Sequence, residues 1–219
     1  MVEALHKKHS ITIFDINKTQ FNDITFVQGD VTDPKAADSA IKNSDVVIHL
    51  AAALGVINTE KNPIETLDVN IFGTRNVLNA CKNNHVKKII FSSSSEIYGE
   101  PVKIPIKETD KAMPITNYGV SKLAAEEYVK AYSKNFGFRY TILRLFNVYG
   151  YGQTSGVITN FIKNILKNIP LTIFGDGTAV RDFIHIDDVT NGIILSMKPT
   201  SGIYNIASGT GTSISDLAK

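Results

Sequence analysis

The chain has 219 residues, 43% of them hydrophobic and 20% charged, with a formal net charge of +2. That is ordinary globular composition, sufficient for one domain or one and a half with an ample core. Its scattered lysines and small net charge argue against a nucleic-acid surface, and no apolar run approaches membrane-spanning length. A single cysteine, Cys81, excludes a disulfide framework and points to a reducing, cytoplasmic setting. Met1 to Ser10 is too short and too polar for a signal peptide.

In chain order, Val2 to His9 reads as the tail of a helix. Ile11 to Ile16 reads as a strand closing on Asp15, and Ile24 to Gln28 as a second strand. Thr32 or Asp33 can cap a helix running to Asn43, with Pro34 in its first turn. Asp45 to Leu50 is an apolar strand leading into Ala51-Ala52-Ala53. A long helix is expected from Pro63 to about Asn84, a strand over Lys87 to Phe91, a helix from Tyr118 to about Asn135, and a strand over Arg139 to Phe146. Later, Val157 to Lys167 reads as helical, Ile203 to Ala207 as a strand, and Ser213 onward as the start of a helix. Strands alternating with helices predict a parallel, doubly wound α/β sheet. Residues 1–148 would form that domain. Residues 149–219, richer in glycine, would begin a second lobe, with 203–207 returning to the main sheet.

The chemistry gathers where Phe91 runs into Ser92-Ser93-Ser94-Ser95-Glu96. A buried strand ending in hydroxyls presents them at the carboxyl edge, where open α/β sheets bind ligands. Tyr118 and Lys122 are four residues apart, so they share a helix face. An ammonium beside a phenol is expected to lower its pKa, letting the tyrosine exchange a proton with a substrate alcohol, which Ser94 would hold. By itself this helix spacing is more often an exposed face, and the serine-ended strand is what raises it.

Asp15 at a strand end suits ribose hydroxyls in dinucleotide sites, about 20 residues after a phosphate-binding glycine loop. That count runs past Met1, so the first strand and its glycine loop are expected to lie before it. The plainer alternative is that Asp15 caps a turn. Gly150-Tyr151-Gly152-Gln153-Thr154-Ser155-Gly156 is a near match to a phosphate loop, but its third glycine comes one position late, and a flexible approach to the second lobe is preferred. His49 lies in an apolar strand and reads as a satisfied core histidine. With His185 it finds no third ligand at metal-site spacing, so no metal is expected.

The ordered motifs resemble the extended short-chain dehydrogenase/reductase family, specifically its nucleotide-sugar epimerases and dehydratases. They are Gly29-Asp30-Val31, His49-Leu50-Ala51-Ala52, Val69-Asn70-Ile71-Phe72-Gly73-Thr74, Ser92 to Gly99, Tyr118-Gly119-Val120-Ser121-Lys122, Arg144 to Gly150, and Gly175-Asp176-Gly177 leading to Arg181-Asp182-Phe183. The resemblance covers essentially the whole chain and implies a Rossmann-like domain with NAD bound. Tyr118 would be the base and Lys122 its partner, also touching the nicotinamide ribose, while Ser94 would hold the substrate hydroxyl. Asp15 would take the adenosine ribose and favour NAD over NADP. Asp30 and Val31 would flank the adenine. Leu50, Ala51 and Ala52 would pass under the diphosphate, Ser92 would line the cofactor site, and Asn70 would support the central helix and the catalytic strand. Asn147 and Arg181 would face the sugar nucleotide, with Arg181 on its diphosphate. Unaided, Arg181 reads as a surface partner of Asp182.

The resemblance favours a UDP-sugar 4-epimerase that oxidises C4 transiently. Glu96 keeps a 4,6-dehydratase or decarboxylase reading open, although Ser95 stands where the dehydratases typically carry Asp. The chain also looks incomplete at its C-terminal end. A non-catalytic relative, kept as a binding or pairing module, is the competing class. The resemblance implies a homodimer through the helices starting at Pro63 and Tyr118.

Overall fold

The computed structural model describes residues 1–219, the side chains of residues 56 and 57 excepted. Its elements are α1 (Val2–Leu5), β1 (Thr12–Asp15), β2 (Thr25–Gln28), α2 (Pro34–Ile41), β3 (Val46–His49), α3 (Val56–Lys61) and α4 (Pro63–Leu67). A π-helical turn over Asp68–Gly73 leads into α5 (Thr74–Asn83), followed by β4 (Lys88–Ser94) and a 3₁₀ turn over Ser95–Tyr98. Then come α6 (Asn117–Phe136), β5 (Arg139–Leu145), β6 (Asn147–Tyr149), α7 (Val157–Leu166), β7 (Val180–His185), α8 (Ile186–Ser196), β8 (Gly202–Ile206), β9 (Gly211–Ser213) and α9 (Ile214–Leu217).

The α/β architecture expected from the sequence is the one found. β1 and β2 pair in parallel as a two-stranded sheet, and β3 pairs in parallel with β4 in a four-stranded sheet ordered β3-β4-β5-β8. A third sheet is ordered β6-β7-β9, its first pair parallel and its second antiparallel. The chain divides into two compact units. Met1–Arg144 with Ser196–Tyr204 form one, and Leu145–Leu195 with Asn205–Lys219 form the other.

In the first unit, Ile89 and Phe91 on β4, Val77, Leu78 and Cys81 on α5, and Ala125 and Val129 on α6 form one buried cluster with Ile142 of β5. Burying each large side chain of this kind contributes about 1.5–3 kcal/mol. α2 starts where its sequence signal places it: the Asp33 carboxylate accepts from the amides of Lys35 and Ala36, and Pro34 opens the helix. α6 is capped by Thr116, whose hydroxyl accepts from the Gly119 amide at 3.0 Å, and is stopped by Gly137 at φ +79°.

The single long helix expected from Pro63 is instead α4, the π turn and α5 in succession. At Gly73 a Cβ would lie 2.7 Å from Val31 Cγ2, so the helix meets the turn between β2 and α2 through bare backbone. α3, β7 and α8 are further elements that the periodicity did not announce. Among the described residues no helix is long and apolar enough to cross a membrane.

Candidate active site

β4 carries its strand geometry through the serines. Ser94 then opens the 3₁₀ turn, its hydroxyl accepting from the Glu96 amide at 3.2 Å. The turn ends on Gly99 at φ +63°, where a Cβ would fall 2.1 Å from the Met113 carbonyl oxygen, so only glycine fits. Gly119 in the first turn of α6 performs a similar service. A Cβ there would meet the Glu96 carbonyl oxygen at 2.6 Å, so the missing side chain lets α6 press against the turn that carries Glu96. The start of α6 is also held from α3, since Glu60 accepts from the backbone and side-chain amides of Asn117 at 2.6 and 2.7 Å.

This packing brings Ser94, Tyr118 and Lys122 together. The Ser94 hydroxyl lies close enough to the Tyr118 phenol to lower its pKa. Lys122 is buried, donates to the Ser92 carbonyl oxygen at 2.8 Å, and lies 5.0 Å from the Phe91 ring centroid and 5.8 Å from that of Tyr118. Burial pulls the Lys122 pKa down to about 8, against the opposing charge of Glu126. The Tyr118 phenol is pushed up to about 12, first by burial, with Ser94 lowering it and the Glu96 charge raising it. The expectation of a lowered Tyr118 pKa is therefore corrected. Burial outweighs the distant ammonium, which is hydrogen-bonded to Ser92 rather than to the phenol.

Asn70 sits in the π turn and is almost fully buried. Its Oδ1 accepts from the Ala53 amide at 2.7 Å, and its Nδ2 donates to the Ala53 carbonyl and to Ser121 Oγ at 3.2 and 2.9 Å. Ser121 in turn donates to the Tyr118 carbonyl at 2.8 Å. Asn70 thus joins the loop after β3 to α6. π turns concentrate at such places because the extra residue re-aims a side chain.

His49 forms a 2.9 Å hydrogen bond with Thr74 Oγ1, whose own proton goes to the Asn70 carbonyl at 2.7 Å. The hydroxyl must therefore accept, and His49 carries its proton on Nε2. Burial, helped by the Lys122 charge, takes its pKa down to about 3. It is the satisfied core histidine of the plainer reading. Among the described residues no group of three His, Cys, Asp or Glu side chains is placed to hold a metal.

Asp15 caps a turn with one oxygen, Oδ1, which accepts from the Asn17 amide at 2.8 Å, and the carboxylate is exposed. Asp30 Oδ1 likewise accepts from the Thr32 amide at 2.8 Å. Val31 is buried, and the carbonyls of Val31 and Thr32 both accept from Asn76 Nδ2 at 3.0 Å. Leu50 and Ala51 are exposed and Ala52 is half-buried, while Ser92 Oγ donates to the His49 carbonyl at 3.2 Å. The set could hold a dinucleotide: an exposed carboxylate at the end of β1 for ribose hydroxyls, and small side chains after β3 where a diphosphate needs close approach.

In the second unit, Asn147 Nδ2 donates to the Asp182 carbonyl at 3.1 Å. Asp182 does not pair with Arg181. Its carboxylate accepts from the Ser208 amide and hydroxyl and from the Gly209 amide, all at 2.7–2.8 Å. Arg181 is exposed and donates to the Val180 carbonyl at 2.8 Å, which leaves most of its donor fork open. In the glycine-rich near match, Gln153 Nε2 donates to the Val148 carbonyl at 3.0 Å, and α7 starts only at Val157.

Sequence reasoning missed the buried Glu126–Arg144 pair and Asn76. The Lys122–Glu126 spacing of four could have placed Glu126 on the Lys122 face of the helix, but could not have shown its pairing with Arg144. Nothing local announced Asn76.

A family model described as the NAD dependent epimerase/dehydratase family matches residues 1–207. The chain is 40% identical over 209 residues to a Methanocaldococcus jannaschii protein named "Putative UDP-glucose 4-epimerase", covering 92% of this chain and 68% of that one. It is 32% identical over 236 residues to the UDP-N-acetyl-alpha-D-glucosaminuronate decarboxylase of Bacillus cytotoxicus, covering 99% and 73%. The structure is similar to that of UDP-N-acetylglucosamine 4-epimerase from Methanobrevibacter ruminantium in complex with UDP-N-acetylmuramic acid. The TM-score is 0.92 at 33% identity, over 99% of this chain and 74% of that one. The chain spans about two thirds of the length of the curated relatives it matches.

Proposed function

The chain belongs to the NAD-dependent epimerase/dehydratase family, and from that premise we propose that it interconverts a UDP-sugar and its C4 epimer. The observation that carries this reading is the assembly of Ser94, Tyr118 and Lys122 at the end of β4. Ser94 holds the C4 hydroxyl, and Tyr118 takes its proton and later returns it. When bound, NAD would supply the reversible hydride acceptor. The Lys122 ammonium, 5.8 Å from the Tyr118 ring centroid, opposes the burial that pushes the phenol up to about 12. Asp15 holds the adenosine ribose and disfavours a 2′-phosphate. Asp30 and Val31 flank the adenine, Leu50, Ala51 and Ala52 lie along the diphosphate, and Asn70, Ser92 and Lys122 shape the nicotinamide end. The second unit serves as the substrate lobe, with Asn147 toward the sugar nucleotide and the open fork of Arg181 on its diphosphate.

Exposed apolar side chains on α4, the π turn and α6, among them Ile64, Phe72, Val120 and Tyr128, support pairing of two copies through these helices. The buried free thiol of Cys81 suits a cytoplasmic setting. Elimination or decarboxylation is the second reading. Glu96 favours it, being an exposed carboxylate close enough to Tyr118 to raise its pKa.

The test is turnover of UDP-glucose and UDP-glucuronate with NAD, alongside a thermal-shift titration with NAD. Tyr118→Phe should lower kcat by about 10²–10⁴-fold and leave nucleotide-sugar binding nearly intact. Glu96→Gln should spare epimerisation. Full turnover in Tyr118→Phe would remove the proposed base. A folded chain that neither binds NAD nor turns over either sugar would favour the non-catalytic module.

A further inference from the structure

One buried ion pair has no part in the reaction as proposed. Glu126 is fully buried and Arg144 nearly so. Glu126 Oε1 accepts from Ser93 Oγ at 2.5 Å and from Arg144 Nε at 3.1 Å, and Oε2 accepts from Arg144 Nη2 at 2.9 Å. The other arm of the guanidinium, Nη1, donates to the Tyr98 hydroxyl at 2.8 Å and to the Glu108 carbonyl at 2.9 Å. Two-pronged guanidinium–carboxylate pairs are strong and directional, but the desolvation they cost makes stability alone a weak reason for burying one.

Its placement suggests another reason. Tyr118, Lys122 and Glu126 recur every four residues along one face of α6. Each meets one of three consecutive residues at the end of β4: Tyr118 meets the Ser94 hydroxyl, Lys122 the Ser92 carbonyl, and Glu126 the Ser93 hydroxyl. We propose that Glu126, clamped by Arg144, is a positioning residue of this active site, fixing the strand end against α6 and placing a carboxylate one helical turn from Lys122.

The proposal rests on the catalytic reading of Lys122. The surroundings of Lys122 leave this task to Glu126. From its own helix it faces Tyr118 and Glu126, and from β3 it faces His49, which is neutral. Glu96 in the 3₁₀ turn acts on Tyr118, and Arg144 of β5 lies behind Glu126. Glu126 is the carboxylate that opposes the burial of the ammonium. With its charge removed, the carboxylate that opposes the burial of the Lys122 ammonium would be lost, and Lys122 would lose its proton at lower pH.

The experiment is an NMR pH titration of the full chain labelled with ¹³C-lysine, with the Lys122 signal assigned through Lys122→Met. In Glu126→Gln, which keeps an oxygen for Ser93, the Lys122 midpoint should fall by about one pH unit or more. If that variant does not fold, Glu126→Gln with Arg144→Met replaces the pair by neutral side chains of similar size, a change buried pairs often tolerate. The midpoint should fall there as well. An unchanged midpoint in a folded variant overturns the proposal and leaves a structural brace. Because the titration does not need turnover, failure of the epimerase reading is seen separately, as a wild-type chain that titrates but does not react. Where turnover is present, the alkaline limb of kcat must move down by the same amount with KM nearly unchanged, which loss of stability alone would not produce.

Discussion

β4 has a buried lysine at each end, and the two are employed differently. At the amino end, Lys88 of the strand itself donates to the carbonyls of Lys198 and Thr200, both at 2.6 Å. At the carboxyl end, Lys122 of α6 donates to the Ser92 carbonyl at 2.8 Å. Burial lowers the pKa of both, Lys88 with help from the Arg139 charge, and Lys122 to about 8. The shared perturbation therefore does not mark function. What separates them is company: Lys88 is surrounded by carbonyls, which exchange no protons, whereas Lys122 stands beside a phenol that itself meets a serine hydroxyl. A perturbed lysine becomes a site only where a second titrating group shares its space.

The sharpest way to break this comparison is to remove each ammonium in turn. Lys122→Met should cut kcat by about 10²–10⁴-fold while the chain stays folded, because a charge serving the proton transfer is lost. Lys88→Met should do the reverse. It removes the two part-buried hydrogen bonds of the Lys88 ammonium, at a cost of about 1–3 kcal/mol, or roughly 2–4 °C in Tm per kcal/mol at this size, with kcat per folded molecule unchanged. Paired thermal melts and initial rates read both. A Lys88→Met protein with normal Tm and depressed kcat would end the distinction.

How much of this was legible beforehand follows from the same elements. The strand and helix alternation could be read because burial imposes periodicity over a few residues, and α2 begins at its predicted cap, Asp33. Tyr118 and Lys122 could be paired because helix geometry fixes a spacing of four. The Glu126–Arg144 pair joins residues on different elements, and no local pattern records which carboxylate meets which guanidinium. The π turn shifts register by a single residue for the sake of Asn70 and the bare Gly73, too small a change for apolar periodicity to register. The direction of the Tyr118 shift depends on depth of burial, which a sequence does not state.

A smaller effect tests the carboxyl end from the other side. His49 is held neutral beside Lys122, with its pKa lowered to about 3 from 6.5. Its contribution to stability is complete above pH 6.5. Below that the unfolded chain takes up a proton that the folded chain refuses, so stability falls progressively as pH drops toward 3. Between pH 7 and pH 5 this amounts to about 2 kcal/mol. His49→Gln, which can still donate to Thr74, should lose that much less over the same interval in urea titrations. Equal losses in both proteins would mean that His49 is protonated in the folded state, and would weaken the account of a neutral ring beside a charged Lys122.

The smallest expected effect concerns a buried polar group that, unlike either lysine, has no partner. Thr141 of β5 is buried, and its hydroxyl makes no hydrogen bond among the described residues. Taking an unpaired hydroxyl out of water opposes folding, and valine has nearly the same shape and an equal liking for strands. Thr141→Val should therefore raise stability by up to about 1 kcal/mol, seen as a higher urea midpoint with an unchanged slope. A loss of similar size would instead reveal a partner for the hydroxyl, such as a bound water. Truncation removes two hydrogen bonds at Lys88 and one at Lys122, whereas Thr141 has none to lose among the described residues. Its replacement therefore measures the cost of burial alone, against which the hydrogen bonds at the two ends of β4 can be judged.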